Sequence, residues 1–114
     1  MIGNIKIHTS ADTWTVRAGG AVLGESSNAL ELVEGDNAPV VYFPREDIAM
    51  AFLDPSDKTS HCPIKGDARY FSVVTKSRTL DNVVWSFEAP NDAAAQLKDH
   101  LAFHSVEEVT IEKI

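Results

Sequence analysis

Hydrophobic and polar residues alternate along most of this chain in short runs, a pattern that is typical of β-strands with one buried face. In the run WTVRA, for example, Trp14, Val16 and Ala18 fall on one face. The pair Gly19-Gly20 that follows marks a tight hairpin turn. Alternation or apolar content predicts strands at 5–8, 14–18, 21–26, 29–34, 40–43, 66–75, 83–88 and 107–114.

Two segments carry helical signals instead, namely REDIAMAFL (45–53) and APNDAAAQLKDHLAF (89–103). In the second segment Leu97 and Leu101 lie four residues apart on one stripe, after three alanines. The polar run DPSDKTS is predicted as a loop and SRTLDN (77–82) as a turn.

These elements predict a mainly β fold, because short strands follow one another and no strand–helix–strand alternation is visible. We expect a bent antiparallel sheet or an open barrel with two short helices. The 114 residues fit a single domain spanning positions 1–114.

Aromatic residues sit at neighbouring positions within two of the predicted strands. Tyr42 precedes Phe43, and Tyr70 precedes Phe71, so each pair places its rings on opposite sides of a strand. One side of the sheet therefore needs a second buried layer or a pocket for the aromatic rings that do not face the main core.

Charge and composition exclude several classes of partner. Ten basic against 17 acidic residues give a net charge of −7, which disfavours nucleic acid and anionic membrane surfaces. No apolar run approaches the ~20 residues of a membrane-spanning helix. The N-terminus shows no signal-peptide pattern, and a lone cysteine suits a reducing compartment, so we expect a cytoplasmic protein.

The single cysteine, Cys62, has two interpretations. It is either a reactive thiol helped by a nearby cation, such as His61 or Lys65, or a small buried hydrophobic residue. In an extended chain His61 and Lys65 share a face that Cys62 does not, although Pro63 can bend the chain there.

Other candidate chemistry is sparse in the sequence. His100 and His104 are four residues apart, but two histidines fall short of the four Cys or His ligands of a structural zinc site, so we expect no metal and no cofactor. Arg45, Lys65 and Arg69 are basic residues that can hold an anion if the fold brings them together.

Several motifs taken together resemble the bacterial family called domain of unknown function 427. They are GGAVLGESSNALELVE, PVVYFPREDI, TSHCPIKGDARY, VVWSFEAP and LAF, and the resemblance runs from about Trp14 to Val109. It implies a small cytosolic protein with a β-tent, Mss4-like fold. The family is sometimes labelled nucleotidyltransferase, but this sequence shows neither paired Mg²⁺-binding carboxylates nor a phosphate-binding loop.

The resemblance also implies a set of signature positions. Where the family usually has an aromatic residue after Cys-Pro this chain has Ile64, and where a tyrosine often follows Ala-Phe it has His104. The positions that match the signature are Gly20, Glu34, Tyr42, Pro44, Asp47, Cys62, Pro63, Lys65, Gly66, Tyr70 and Trp85.

The main functional hypothesis is a pocket between the YFPRED and HCPIKG segments that binds a small anionic or aromatic metabolite. Two alternatives remain: a thiol-dependent enzyme that uses Cys62, and a structural module that forms a homodimer through strand edges. Candidate catalytic residues are Cys62, Lys65 and Asp47. The candidate ligand-binding residues are Tyr42, Arg45, Asp47, Cys62, Lys65, Tyr70 and Trp85.

Overall fold

A computed structural model describes residues 4–114, which form two antiparallel β-sheets. The strands are β1 (Ile5–Thr9), β2 (Trp14–Ala18), β3 (Ala21–Ser26), β4 (Leu30–Glu34), β5 (Val40–Pro44), β6 (Leu53–Cys62), β7 (Gly66–Val74), β8 (Thr79–Ser86), β9 (His100–Phe103) and β10 (Val109–Lys113). The order is β1-β4-β5-β9-β8-β7-β6 in the seven-stranded sheet and β10-β2-β3 in the three-stranded sheet. Neither sheet closes into a barrel, and the mainly β prediction is confirmed.

The main core includes residues from both sheets. Val16 and Leu23 of the small sheet belong to one buried cluster with Phe43, Phe71 and other apolar residues of the large sheet. The predicted hairpin at Gly19-Gly20 is confirmed: both glycines have positive φ angles, which glycine adopts without steric cost.

A second apolar cluster belongs to the large sheet and the segment that follows it. Tyr42 and Phe87 are buried there, together with Ala94 and Leu97 of a 3₁₀ segment. The expected division of the aromatic pairs is therefore confirmed: Tyr42 and Tyr70 belong to this second cluster, whereas Phe43 and Phe71 belong to the main core.

The two predicted helices are only 3₁₀ turns. The first segment forms Arg45–Asp47 and Met50–Phe52, and the second forms Asp92–Leu97. The end of the second segment is strand β9, which pairs with β5 and β8. The reason is burial: three consecutive residues of β9 are buried, because both faces of this central strand are covered.

The predicted loop at 54–60 is also wrong, and the predicted turn at 77–82 is right only for residues 77 and 78, because the other residues belong to strands. Residues 54–60 belong to β6, which is polar because it lies at the edge of the large sheet and is exposed along most of its length. Residues 79–82 begin β8, which pairs with β7 across a register shift. Within residues 4–114, no helix combines the length and apolar character needed to cross a bilayer.

Candidate functional site

Two aromatic residues meet across the centre of the large sheet. Tyr42 on β5 and Trp85 on β8 are separated by β9, where Ala102 is the register partner of Trp85. Because Ala102 is small, the two rings approach each other above it, edge to face, with centroids 6.3 Å apart. The indole Nε1–H of Trp85 donates a hydrogen bond of 3.1 Å to the Tyr42 hydroxyl oxygen.

The hydroxyl of Tyr42 lies in an environment that opposes its ionisation. Burial is the largest cause and raises the pKa of Tyr42 to about 12, although the hydrogen bond from Trp85 acts in the opposite direction. Negative charge on Cys62, Glu34 or Tyr70 raises the pKa further. Tyr42 is therefore a neutral hydrogen-bonding group at physiological pH.

The CPIKG segment reaches the same site as a tight turn between β6 and β7. The backbone N–H of Lys65 points at the Sγ atom of Cys62 at 3.5 Å, and Gly66 has a φ of 113°. The Nζ atom of Lys65 lies 3.3 Å from Oε1 of Glu34 and 5.8 Å from the centroid of Phe87. Lys65 is thus a shielded cation, with its side chain only 17% exposed.

The turn is held in place by the segment that follows β8. The side-chain amide of Asn91 donates hydrogen bonds to the carbonyl oxygens of Pro63 (3.1 Å) and Ile64 (3.3 Å). The backbone N–H of Asn91 donates to the carbonyl oxygen of Lys65 at 2.9 Å. Three hydrogen bonds from one residue therefore position the turn that carries Cys62 and Lys65.

Tyr70 extends the aromatic surface toward the edge of the sheet. It is the register partner of Trp85 on β7, and both side chains are half-buried. The Tyr70 hydroxyl lies 3.0 Å from the Ser60 hydroxyl, and the ammonium group of Lys58 lies 4.6 Å from the centroid of the Tyr70 ring. This cation–π contact places an exposed positive charge beside the Tyr70 ring.

His104 borders the same surface at the end of β9. Its ring centroid is 4.6 Å from that of Trp85, with the planes tilted by 46°. Partial desolvation lowers the pKa of His104, and the nearby charge of Lys58 lowers it further. An aromatic ring therefore borders Trp85 at the position where the resemblance pointed to a tyrosine.

These residues form one site on the face of the large sheet that carries the second cluster, and we call it the aromatic site. It consists of Glu34, Tyr42, Lys58, Cys62, Lys65, Tyr70, Trp85 and His104. Five of the seven predicted ligand-binding residues belong to it: Tyr42, Cys62, Lys65, Tyr70 and Trp85.

The other two predicted residues, Arg45 and Asp47, make their contacts elsewhere. Oδ2 of Asp47 accepts a hydrogen bond of 2.6 Å from the buried Ser26 hydroxyl of the small sheet. A side chain on Gly24 would place its Cβ 2.5 Å from the Asp47 carbonyl oxygen, so the turn packs tightly on β3. Arg45 points to Glu88, 3.6 Å away. Asp47 therefore holds a turn in place.

Three residues of the aromatic site were not among the predicted ligand-binding residues: Glu34, Lys58 and His104. A signal for Glu34 exists in the alternation, because it shares its strand face with Leu30 and Leu32. A second signal in the sequence concerns Arg45, whose spacing from Tyr42 indicates that the two side chains lie on different faces. Tyr42 and Arg45 are an odd number of residues apart, which places them on opposite faces of an extended chain.

Surface grooves lie outside the aromatic site as well, and two of them are next to Arg45 and Arg69. One, of about 600 Å³, is lined by Pro44, Arg45, Glu46, Lys98, Asp99 and His100. The other, of about 470 Å³, is lined by Ser56, Asp57, Thr59, Asp67, Ala68, Arg69, Glu88 and Ala89. Among residues 4–114, no three His, Cys, Asp or Glu side chains are grouped so that they could hold a metal ion.

Comparison with protein families places this chain in one of them. The family model described as Domain of unknown function (DUF427) matches residues 6–113, which is nearly the whole chain. Curated proteins give no match.

Proposed function

Because the chain belongs to the DUF427 family, whose description names no activity, we propose a function from the geometry of the aromatic site. The site binds a small molecule that combines a planar aromatic ring with an anionic group. Tyr70 and Trp85 stack against the ring, and Lys58 attracts the anionic group. At the other side of the aromatic site, Glu34 supplies a hydrogen-bond acceptor and Lys65 a hydrogen-bond donor.

The observation that carries this proposal is the pairing of two half-buried aromatic side chains on adjacent strands. Tyr70 and Trp85 are register partners, so their side chains leave the sheet on the same face from adjacent positions. Large aromatic rings that stay partly exposed beside polar groups are common in ligand sites, which combine apolar walls with a few polar contacts. Lys58 and His104 provide such groups at the border.

The rings are also held in place before any ligand binds. Trp85 is fixed by its hydrogen bond to the buried Tyr42, and Tyr70 by its contact with Ser60. A preorganised surface loses little side-chain entropy on binding, which favours affinity. Lys58 is preferred over Lys65 as the anion contact, because Lys65 is already paired with Glu34.

The test is a thermal-shift screen with aromatic carboxylates and aromatic phosphate esters. A ligand present at 100 times its Kd raises the free energy of unfolding by about 2.7 kcal/mol, which corresponds to a rise in Tm of roughly 10 °C. Cyclohexanecarboxylate and benzyl alcohol serve as compounds that lack the ring or the charge, and we expect neither to stabilise the protein.

The variants Trp85→Phe and Trp14→Phe form a matched pair for this screen, because the chain has two tryptophans and Trp14 packs against the main core instead. We expect Trp85→Phe to reduce the ligand-induced shift and Trp14→Phe to preserve it. Equal loss in both variants, or no shift with any aromatic anion, would contradict the proposal.

A further inference from the structure

Two arginines converge on one carboxylate and one ring at a separate place in the fold. Arg45 Nη1 and Arg69 Nη1 lie 3.6 Å and 3.4 Å from the two carboxylate oxygens of Glu88. Both guanidinium groups also lie close to the ring of Phe71, at 5.7 Å and 5.4 Å from its centroid. Phe71 belongs to the main core, so this cluster is independent of the aromatic site.

The contacts of Glu88 leave most of the hydrogen-bonding capacity of the arginines unused. Each guanidinium group carries five N–H donors, and charge-assisted bonds to a carboxylate are usually ~2.7–2.9 Å long. Here the distances are 3.4–3.6 Å, and the three side chains are 42%, 44% and 45% exposed. Glu88 therefore acts as a weakly held internal counter-anion that solvent can reach.

The positions of the two arginines are fixed by the backbone and by the buried ring. The backbone N–H of Arg45 donates a hydrogen bond of 2.8 Å to the carbonyl oxygen of Asp99, directly after β5 ends. Arg69 is part of β7, opposite Ser86. A guanidinium group that stacks on a fixed ring is preorganised for planar or tetrahedral oxyanions.

Arg45 also lines the groove of about 600 Å³, together with other ionisable side chains. Lys98 and His100 line this groove with Arg45, and the acidic residues there are Glu46 and Asp99. The two cations, Arg45 and Lys98, are matched there by these two carboxylates, so the groove carries no excess of negative charge in a chain of net charge −7. The groove, of about 600 Å³, has room for the remainder of a small ligand.

We propose that Arg45 and Arg69 form a binding site for the phosphate or carboxylate group of a dissolved small molecule, which displaces Glu88. The incoming oxyanion accepts hydrogen bonds from both guanidinium groups, and Lys98 adds positive charge at the groove. Because both arginines are exposed, added salt screens their attraction for the anion, so binding weakens as the ionic strength rises.

Titration with inorganic phosphate and, separately, with succinate tests this proposal, using two-dimensional NMR of ¹⁵N-labelled protein at low ionic strength. Glu88→Gln removes the internal competitor and keeps the shape of the side chain, so we expect it to bind one or both anions about tenfold more tightly than the parent protein. Arg69→Gln should abolish this binding. The control is Arg78→Gln, because Arg78 pairs with Glu108 at 3.4 Å, also at the surface.

The outcomes separate clearly. Tighter binding by Glu88→Gln, together with a loss in Arg69→Gln that Arg78→Gln does not share, supports the site. Preference for phosphate or for succinate then identifies the class of ligand. The proposal is overturned by any of three results. Glu88→Gln binds the anions with unchanged affinity, Glu88→Gln binds neither anion, or Arg69→Gln and Arg78→Gln lose binding equally. Thermal unfolding of each variant verifies that it is folded during the titration.

Discussion

Tyr42 is the residue on which the aromatic site is built. Its ring is buried and its hydroxyl fixes the indole of Trp85 at the surface. Because burial raises the pKa of Tyr42 to about 12 from 10.0, the folded protein keeps this proton at a pH where the unfolded chain loses it. The resulting stabilisation is complete below pH 10 and is lost as the pH rises through about 12.

A pH series of urea unfolding tests this consequence. Between pH 8 and pH 11 the ionisation of Tyr42 in the unfolded chain is expected to lower the free energy of unfolding by roughly 1 kcal/mol. Tyr42→Phe removes the ionisable group, so its free energy of unfolding should fall less with pH than that of the parent. Parallel pH profiles would contradict the burial of a neutral hydroxyl at this position. At neutral pH the variant should lose ~1 kcal/mol with the hydrogen bond.

Cys62 is the residue on which the thiol hypothesis depends. Its side chain is half-buried against the second cluster, and its Sγ atom faces the Lys65 backbone N–H. The ammonium group of Lys65 pairs with Glu34, so its charge is largely compensated. We therefore interpret Cys62 as part of the wall of the site.

Iodoacetamide alkylation at pH 7.5 distinguishes the two interpretations of Cys62. We expect the native thiol to react at least about tenfold more slowly than the thiol of the urea-unfolded chain, because only exposed thiolate reacts. Native alkylation that is as fast as in the unfolded chain, or faster, would favour a thiol-dependent enzyme.

At the scale of elements, the alternation of apolar and polar residues predicted the half-exposed strands. It did not predict strands whose residues are all buried or all polar. Strand β4, for example, was predictable because Leu30 and Leu32 on one face are buried, whereas Glu31 and Val33 on the other are only half-buried. Strand β9 was not, because Leu101, Ala102 and Phe103 are all buried and the run therefore shows no period. The polar part of β6 resembles a loop, because an exposed edge strand has little need for apolar residues.

The turn between β6 and β7 depends on Gly66, and this dependence can be measured. A Cβ on Gly66 would lie 3.3–3.4 Å from backbone atoms of Asn91, Ala89 and Pro90, at a φ of 113° that other residues rarely adopt. Gly66→Ala should therefore cost about 1–3 kcal/mol and weaken ligand binding, because it displaces Lys65.

Gly20→Ala is the matched control for this substitution. Gly20 also has a positive φ, of 85°, but a Cβ there has no neighbour within 4 Å. The two variants are compared by their free energies of unfolding in urea. The extra loss in Gly66→Ala measures the cost of the close contact with residues 89–91. If both lose the same free energy, that segment does not hold the turn.

At the scale of the whole molecule, the strand order decides which residues meet. Tyr42 and Trp85 are 43 residues apart, and only the insertion of β9 between β5 and β8 brings them together over Ala102. No local pattern encodes that order, so the sequence could indicate that aromatic rings face a second layer but not which rings are neighbours. Arg45 and Lys65 have separate partners, Glu88 and Glu34, and for Arg45 the odd spacing from Tyr42 is a local signal of that separation.

The homodimer expected from the sequence stays a prediction. The long edge strand β6 contains Pro55 and an irregular register between Pro55 and Thr59, and Lys58 lies within that irregularity. Such features discourage pairing with another edge, so we do not place a dimer contact at β6.

The central claim is that the aromatic site binds an aromatic anion. The most direct test of it uses the two indole N–H signals in NMR spectra of ¹⁵N-labelled protein. The signal of Trp85 reports on the aromatic site and that of Trp14 on the other sheet, where its Nε1–H donates to the Ser10 hydroxyl. On titration with the best aromatic anion from the screen, we predict a saturable shift of the Trp85 signal and an unchanged Trp14 signal. A shift confined to Trp14, or no shift of either signal at saturation, would contradict a ligand site on this face of the sheet.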